Sequence, residues 1–185
     1  SGLLHFARQN KVFLKPVNIR TLAEECLKPV RLPENVRAEI AHRGDDPVAD
    51  LDRDQILQVL SNLVHNAVAA MPAGGNLTLE TERSGDRVRF RVSDTGVGIP
   101  RENLAKIFEP FFTTRQIGRG TGLGLAIAYG IVKMHRGDIR VESNADPSQG
   151  PTGSAFTIDL PGRAPEAESV DRTVAARPGE KTTAA

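Results

Sequence analysis

The chain has 185 residues, with 24 basic and 23 acidic side chains and a formal net charge of +1. That length allows one domain with a real core, and the even charge balance supplies no basic groove, so nucleic acid is excluded as an expected partner. A single cysteine, Cys26, rules out an internal disulfide; its apolar neighbours make it a buried thiol, as fits a reducing compartment.

In chain order, "SGLLHFARQNKVFL" carries apolar residues without a helix start signal and reads as the severed end of a helix that began earlier, stopped by Pro16. Asn18 then caps a short helix, "IRTLAEECL", with Ile19, Leu22, Ala23 and Cys26 at helical spacing. Two strand candidates follow, "VRAEIAH" and "PVADLD". From Asp52, the residues Ile56, Val59, Leu60, Leu63, Ala67 and Val68 form an apolar stripe of period 3.6, predicting an amphipathic helix packed on a sheet. Pro72 and "AGG" end it.

The alternating segments "NLTLETE" and "DRVRFRVSD" around "RSG" predict an antiparallel hairpin whose last residue is Asp94. A Gly-rich stretch precedes a further helix, "GLGLAIAYGIVKMH", and two alternating strands close the ordered region. The apolar run from Leu123 to Val132 in that helix falls well short of the roughly 20 residues needed to span a bilayer. Beyond Pro161 the sequence is polar and aperiodic, so disorder is expected. The expected organisation is an end of helix and linker over residues 1–14, one domain over 15–161 and a tail over 162–185. The fold class is an α/β sandwich: a mixed, mostly antiparallel sheet with helices on one face.

Three stretches carry candidate chemistry. Asn62 and Asn66, four residues apart, project from one face of the helix that starts after Asp52. Amide oxygens are hard neutral ligands suited to Mg²⁺, and amides also hydrogen-bond phosphate; two solvated polar residues would look the same in isolation. Asp94, at a strand end before Gly96 and Gly98, is an acceptor suited to an exocyclic amine, beside a turn against which a flat ring can lie. "GRGTGLGL" places glycines before an apolar helix, the arrangement in which backbone N–H groups receive phosphate.

Taken together and in order, "NLVHNA", "DTGVGIP", "FEPFF" and "GTGLGLAI" resemble the catalytic and ATP-binding domain of sensor histidine kinases in the GHKL superfamily, over about Pro16 to Pro161. The resemblance implies the Bergerat α/β sandwich with a mobile lid between Arg101 and Thr121, and ATP with Mg²⁺ as cofactors. It implies that Asp94 reads the adenine amino group, that Gly96 and Gly98 shape the base pocket, and that Asn66 binds Mg²⁺ with Asn62 assisting at the phosphates. Gly120, Thr121, Gly122, Leu123, Gly124 and Leu125 would form the phosphate loop, and Ser154 a hydroxyl near the adenine. Phe108, Phe111 and Phe112 would brace the lid, while Arg115 and Arg119 on it are candidates for the γ-phosphate.

Related ATPases place a glutamate four residues before the metal-binding asparagine to activate water. Here that position is Asn62, which favours phosphoryl transfer to a protein side chain over hydrolysis. The family's acceptor-histidine pattern is absent: His5, His42, His65 and His135 all lie in other contexts, although His65 adjoins Asn66 and could approach the phosphates. The implied partners are a phosphoacceptor dimerisation domain of the same parent and a downstream response regulator. The parent is expected to be a homodimer, this fragment a monomer in the cytoplasm, with a membrane anchor upstream left open. A GHKL ATPase, a serine-directed relative and a nucleotide-gated regulatory module are the competing readings.

Overall fold

The structure is a computed structural model that describes residues 11–44, 46–114 and 122–163. Strand β1 (Lys15–Asn18) leads directly into helix α1 (Ile19–Leu27). The Asn18 side chain accepts a hydrogen bond from the Thr21 amide at 3.0 Å, the N-cap expected of an asparagine there. Strands β2 (Val36–Arg43) and β3 (Val48–Leu51) precede the long helix α2 (Arg53–Ala69). Strands β4 (Gly75–Ser84) and β5 (Arg87–Asp94) form the predicted hairpin, followed by a short 3₁₀ turn, Arg101–Asn103. Helix α3 (Gly124–Met134) and strands β6 (Asp138–Asn144) and β7 (Gly153–Pro161) complete the domain.

The main sheet has the order β2-β4-β5-β7-β6; β2 and β4 are parallel and every other neighbour is antiparallel. β1 and β3 pair separately. The three helices cover one face, and their stripes bury Leu22, Ile56, Leu60 and Leu63 against Leu77, Leu79, Phe90, Ile158 and Leu160 of the sheet. The opposite face is a lattice of cross-strand pairs, including Arg89 with Glu82 at 3.4 Å and Asp159 at 3.0 Å, and Arg91 with Glu142 at 3.3 Å. This alternation of apolar and charged residues along β4 and β5 is the period-2 pattern read as strands.

Three boundaries differ from expectation. Lys11–Leu14 are not helical; the Phe13 amide instead donates to the Asp52 carboxylate at 3.0 Å, so the entering chain is tied to the residue that also caps α2. The rest of that expected helix, and the tail from residue 164, lie outside the described residues. The hairpin turn is Gly85-Asp86, because Ser84 still pairs with Arg87; "RSG" starts two residues too early and ends one too early. Helix α3 begins at Gly124, so Gly122 precedes the helix and adopts φ +67° outside it. Cys26 is buried as expected, and burial pushes its thiol pKa up.

His135, at the C-terminal end of α3, is buried and donates Nδ1–H to the Ile131 carbonyl at 2.9 Å. Its Nε2 has no hydrogen-bond partner among the described residues. Burial holds this imidazole below its ordinary pKa of 6.5, with the Ile131 carbonyl and Asp52 opposing. The unfolded chain therefore takes up the proton first, so His135 costs stability as pH falls below that ordinary value and costs nothing where it is neutral in both states. Thermal melts from about pH 7 to about pH 5 should show a decline that His135→Gln makes shallower; an unchanged slope would remove His135 as its source.

Candidate nucleotide site

The apolar stripe of α2 turns its other side toward α3, and this orients the two asparagines. Asn62 donates Nδ2–H to the Gly124 carbonyl at 3.0 Å, joining α2 to the first residue of α3 and fixing which way the amide points. Asn66 lies one turn further on, half-buried. Both line a cavity of about 380 Å³ between α2, the β5 end and the start of α3.

Asp94 also lines that cavity, 8% exposed and paired in register with Ser154 of β7. The Gly96 amide donates to Asp94 Oδ1 at 2.9 Å, and the Ser154 backbone N–H also bonds this carboxyl. Burial raises the Asp94 pKa above the ordinary carboxylate value, and the two backbone donors partly offset that rise. The result is a carboxylate preorganised by the main chain, with acceptor capacity turned into a partly closed space.

The loop after β5 is held in close contact on both sides. Val97 donates its amide to the Ala70 carbonyl at 2.9 Å, and a Cβ on Gly96 would sit 2.2 Å from that same carbonyl oxygen. Gly98 has φ +73°, and a Cβ there would come within 2.0 Å of the Asn144 carbonyl oxygen, so a side chain is refused on both counts. The Ser143 hydroxyl accepts from the Ile99 amide at 2.7 Å and donates to the Gly153 carbonyl at 2.9 Å. Having spent its one proton, Ser143 must accept from Ser154 Oγ, 2.8 Å away.

Of the residues expected at the site, Asn62, Asn66, Asp94, Gly98, Gly122, Gly124, Leu125 and Ser154 line this one cavity. Gly96 supports it through Asp94 without lining it, and Leu123 takes the N-cap position of α3. Phe108 does not line it; it packs 5.4 Å from Tyr129 and 6.4 Å from Phe156, and Phe156 lines the cavity in its place. The three phenylalanines do not act alike: Phe112 lines the cavity, whereas Phe111, with φ +66°, is 74% exposed and makes its contact through the backbone, its amide donating to the Gly122 carbonyl at 2.9 Å. Arg115, Arg119, Gly120 and Thr121 lie outside the described residues.

Sequence reasoning missed Ala70, Ser143 and Phe156. Ala70 acts through its carbonyl and Phe156 reads as an ordinary core position, so neither leaves a mark in the sequence. Ser143, on an alternating strand, carries only the faint signal of a hydroxyl level with Ser154.

The donor set suits a metal held jointly with a polyphosphate. Among the described residues no group of three or more His, Cys, Asp or Glu side chains could cage an ion, so a cation here would rest on amide oxygens and on the ligand's own oxygens, as Mg²⁺ commonly does. Ile99, Ile107, Leu125 and Phe156 supply apolar walls for a flat ring. Two further grooves are lined in part by charged side chains that pair with one another, among them Arg89 with Glu82 and Asp159 and Arg91 with Glu142.

Residues 51–164 match the family described as histidine kinase-, DNA gyrase B-, and HSP90-like ATPase. The sensor kinase CckA of Brucella abortus is 40% identical over 159 residues, covering 78% of this chain and 16% of that protein. The catalytic domain of histidine kinase ThkA superposes with a TM-score of 0.68 at 31% identity, over 81% of this chain and 96% of that one. Full-length ShkA in complex with AMPPNP gives a TM-score of 0.71 at 30% identity, over 86% of this chain and 34% of that one. The chain belongs to this ATPase family, and its α/β fold is that of a histidine kinase catalytic domain. It spans about a third or less of the length of the curated sensor kinases it matches, from 16% to 34%.

Proposed function

We propose that this chain binds Mg²⁺·ATP in the cavity between Asn66 and Asp94 and transfers the γ-phosphate to a histidine on a separate dimerisation domain of its parent, a two-component sensor histidine kinase. The observation that supports the reading is that a backbone-held buried carboxylate and two side-chain amides line one cavity. Asp94 accepts from the adenine amino group while its Gly96 and Ser154 contacts keep it from rotating. Asn66, with Asn62 beside it, holds the metal and phosphates, and the start of α3 faces the same space. The metal, when bound, neutralises charge on the phosphates.

Asp94 is the only acid among the described residues that line the cavity, and Asn62 stands where hydrolytic relatives carry a glutamate. With Asp94 assigned to the base, no other lining carboxylate is left to activate water, which supports transfer over hydrolysis. Arg115 and Arg119 are retained as candidate γ-phosphate contacts, within a lid running to Thr121. The response regulator, the homodimeric parent and a cytoplasmic setting belong to the same proposal. Among the described residues no helix is long and apolar enough to cross a membrane.

The direct test uses the 185-residue chain with γ-labelled ATP. Calorimetry should show nucleotide binding, and the chain alone should take up no label; a dimerisation domain with its histidine intact should become labelled when added. Steady hydrolysis without a partner, or stoichiometric labelling of a histidine in this chain, would replace the reading by an ATPase or a self-modifying enzyme.

A further inference from the structure

We infer that His65 supplies an imidazole ligand beside Asn62 and Asn66 at the metal end of the cavity, biasing the site toward divalent ions that accept nitrogen, such as Co²⁺, relative to Mg²⁺. The inference rests on the nucleotide reading of the cavity and deepens it. His65, Asn62 and Asn66 all line that cavity, and on α2 the histidine is three residues after Asn62 and adjacent to Asn66.

The ring orientation argues for a ligand. His65 Nδ1 lies 2.7 Å from the Ser61 carbonyl oxygen. A carbonyl only accepts, so Nδ1 carries the proton, and the neutral ring is left with an unprotonated lone pair on Nε2. A histidine that ligates a metal nearly always donates its other ring N–H in this way, commonly to a backbone carbonyl, which fixes the tautomer in advance. The side chain is exposed and belongs to no part of the core, so core packing does not account for its place in the cavity lining. Amide oxygens alone make a hard set suited to Mg²⁺, and one imidazole nitrogen adds a donor that later first-row ions bind more strongly.

Two measurements on the full 185-residue chain test this. A non-hydrolysable ATP analogue is titrated calorimetrically with excess Mg²⁺ or excess Co²⁺, for the unmodified chain and for His65→Ala. The unmodified chain should prefer the Co²⁺ complex by about tenfold or more, on the scale of single ligand-sphere changes, and the variant should lose that preference while still binding the Mg²⁺ complex. Pulsed electron paramagnetic resonance of the bound Mn²⁺·analogue should show nitrogen coupling from imidazole that disappears in His65→Ala. Absence of that coupling in the unmodified chain, or an equal Co²⁺ to Mg²⁺ ratio in both proteins, overturns the role of His65 and leaves the nucleotide site standing, because binding is seen in the same titrations. Failure of the unmodified chain to bind the analogue with any ion overturns both.

Discussion

Asn66→Ala should lower phosphoryl transfer to a supplied dimerisation domain by on the order of 10²- to 10³-fold, the range seen when one preorganised contact to a reacting centre is removed. The substitution deletes the amide oxygen proposed to hold the metal, leaves the α2 stripe intact and adds no charge. Asn66 is half-buried, so the fold should tolerate the change. Binding of ADP without metal should shift little, because the base end of the cavity is formed by other residues. Rates measured at saturating ATP separate the two effects, since a positioning loss survives saturation and a simple affinity loss does not. Normal transfer at saturation would remove Asn66 from the metal site.

Asp94→Asn should weaken adenine nucleotides by roughly 10- to 100-fold, the equivalent of about 1.5–3 kcal/mol for a hydrogen bond to a charged group. The geometry makes this a severe test although the shapes are nearly the same. The carboxylate accepts from the Gly96 and Ser154 backbone N–H groups and still offers lone pairs to the ligand. An amide has one accepting oxygen, so its NH₂ must face either a backbone donor or the adenine amine. Calorimetry with ADP reads the loss, and unchanged affinity would take Asp94 out of the base pocket. The raised pKa of Asp94 adds a pH signature of definite sign. As pH falls through that raised value the carboxyl gains a proton and loses an acceptor, so affinity should begin to fall above the ordinary carboxylate range and Asp94→Asn should not show that fall.

Much of the fold could be read from the sequence because its elements repeat with unmistakable periods. The stripe from Ile56 to Val68 and the alternation through Leu77, Leu79, Val88, Phe90 and Val92 reflect burial of one face, a local consequence of side-chain geometry that needs no knowledge of partners. Chain ends and turns were harder. The entry segment reads as helix because its apolar residues carry no sign of the Asp52 carboxylate that captures the Phe13 amide from 39 positions away. The hairpin turn differs because polar Arg83 and Ser84 look like turn residues beside Gly85, and only strand register shows that both remain paired.

The sequence by itself determined the three helices and every strand but β1, the family likeness and the identity of the polar residues that line the site, since paired asparagines and an aspartate before glycines are visible as composition and spacing. Tertiary structure alone decided that Ser154 lies in register with Asp94, that the Ala70 and Asn144 carbonyls close on the loop at Gly96 and Gly98, and that Phe156 rather than Phe108 lines the cavity. Backbone carbonyls have no sequence signature, and strand register is set by every residue of the sheet at once. The site thus depends on contacts between segments far apart in the chain, which periodicity within one segment does not encode.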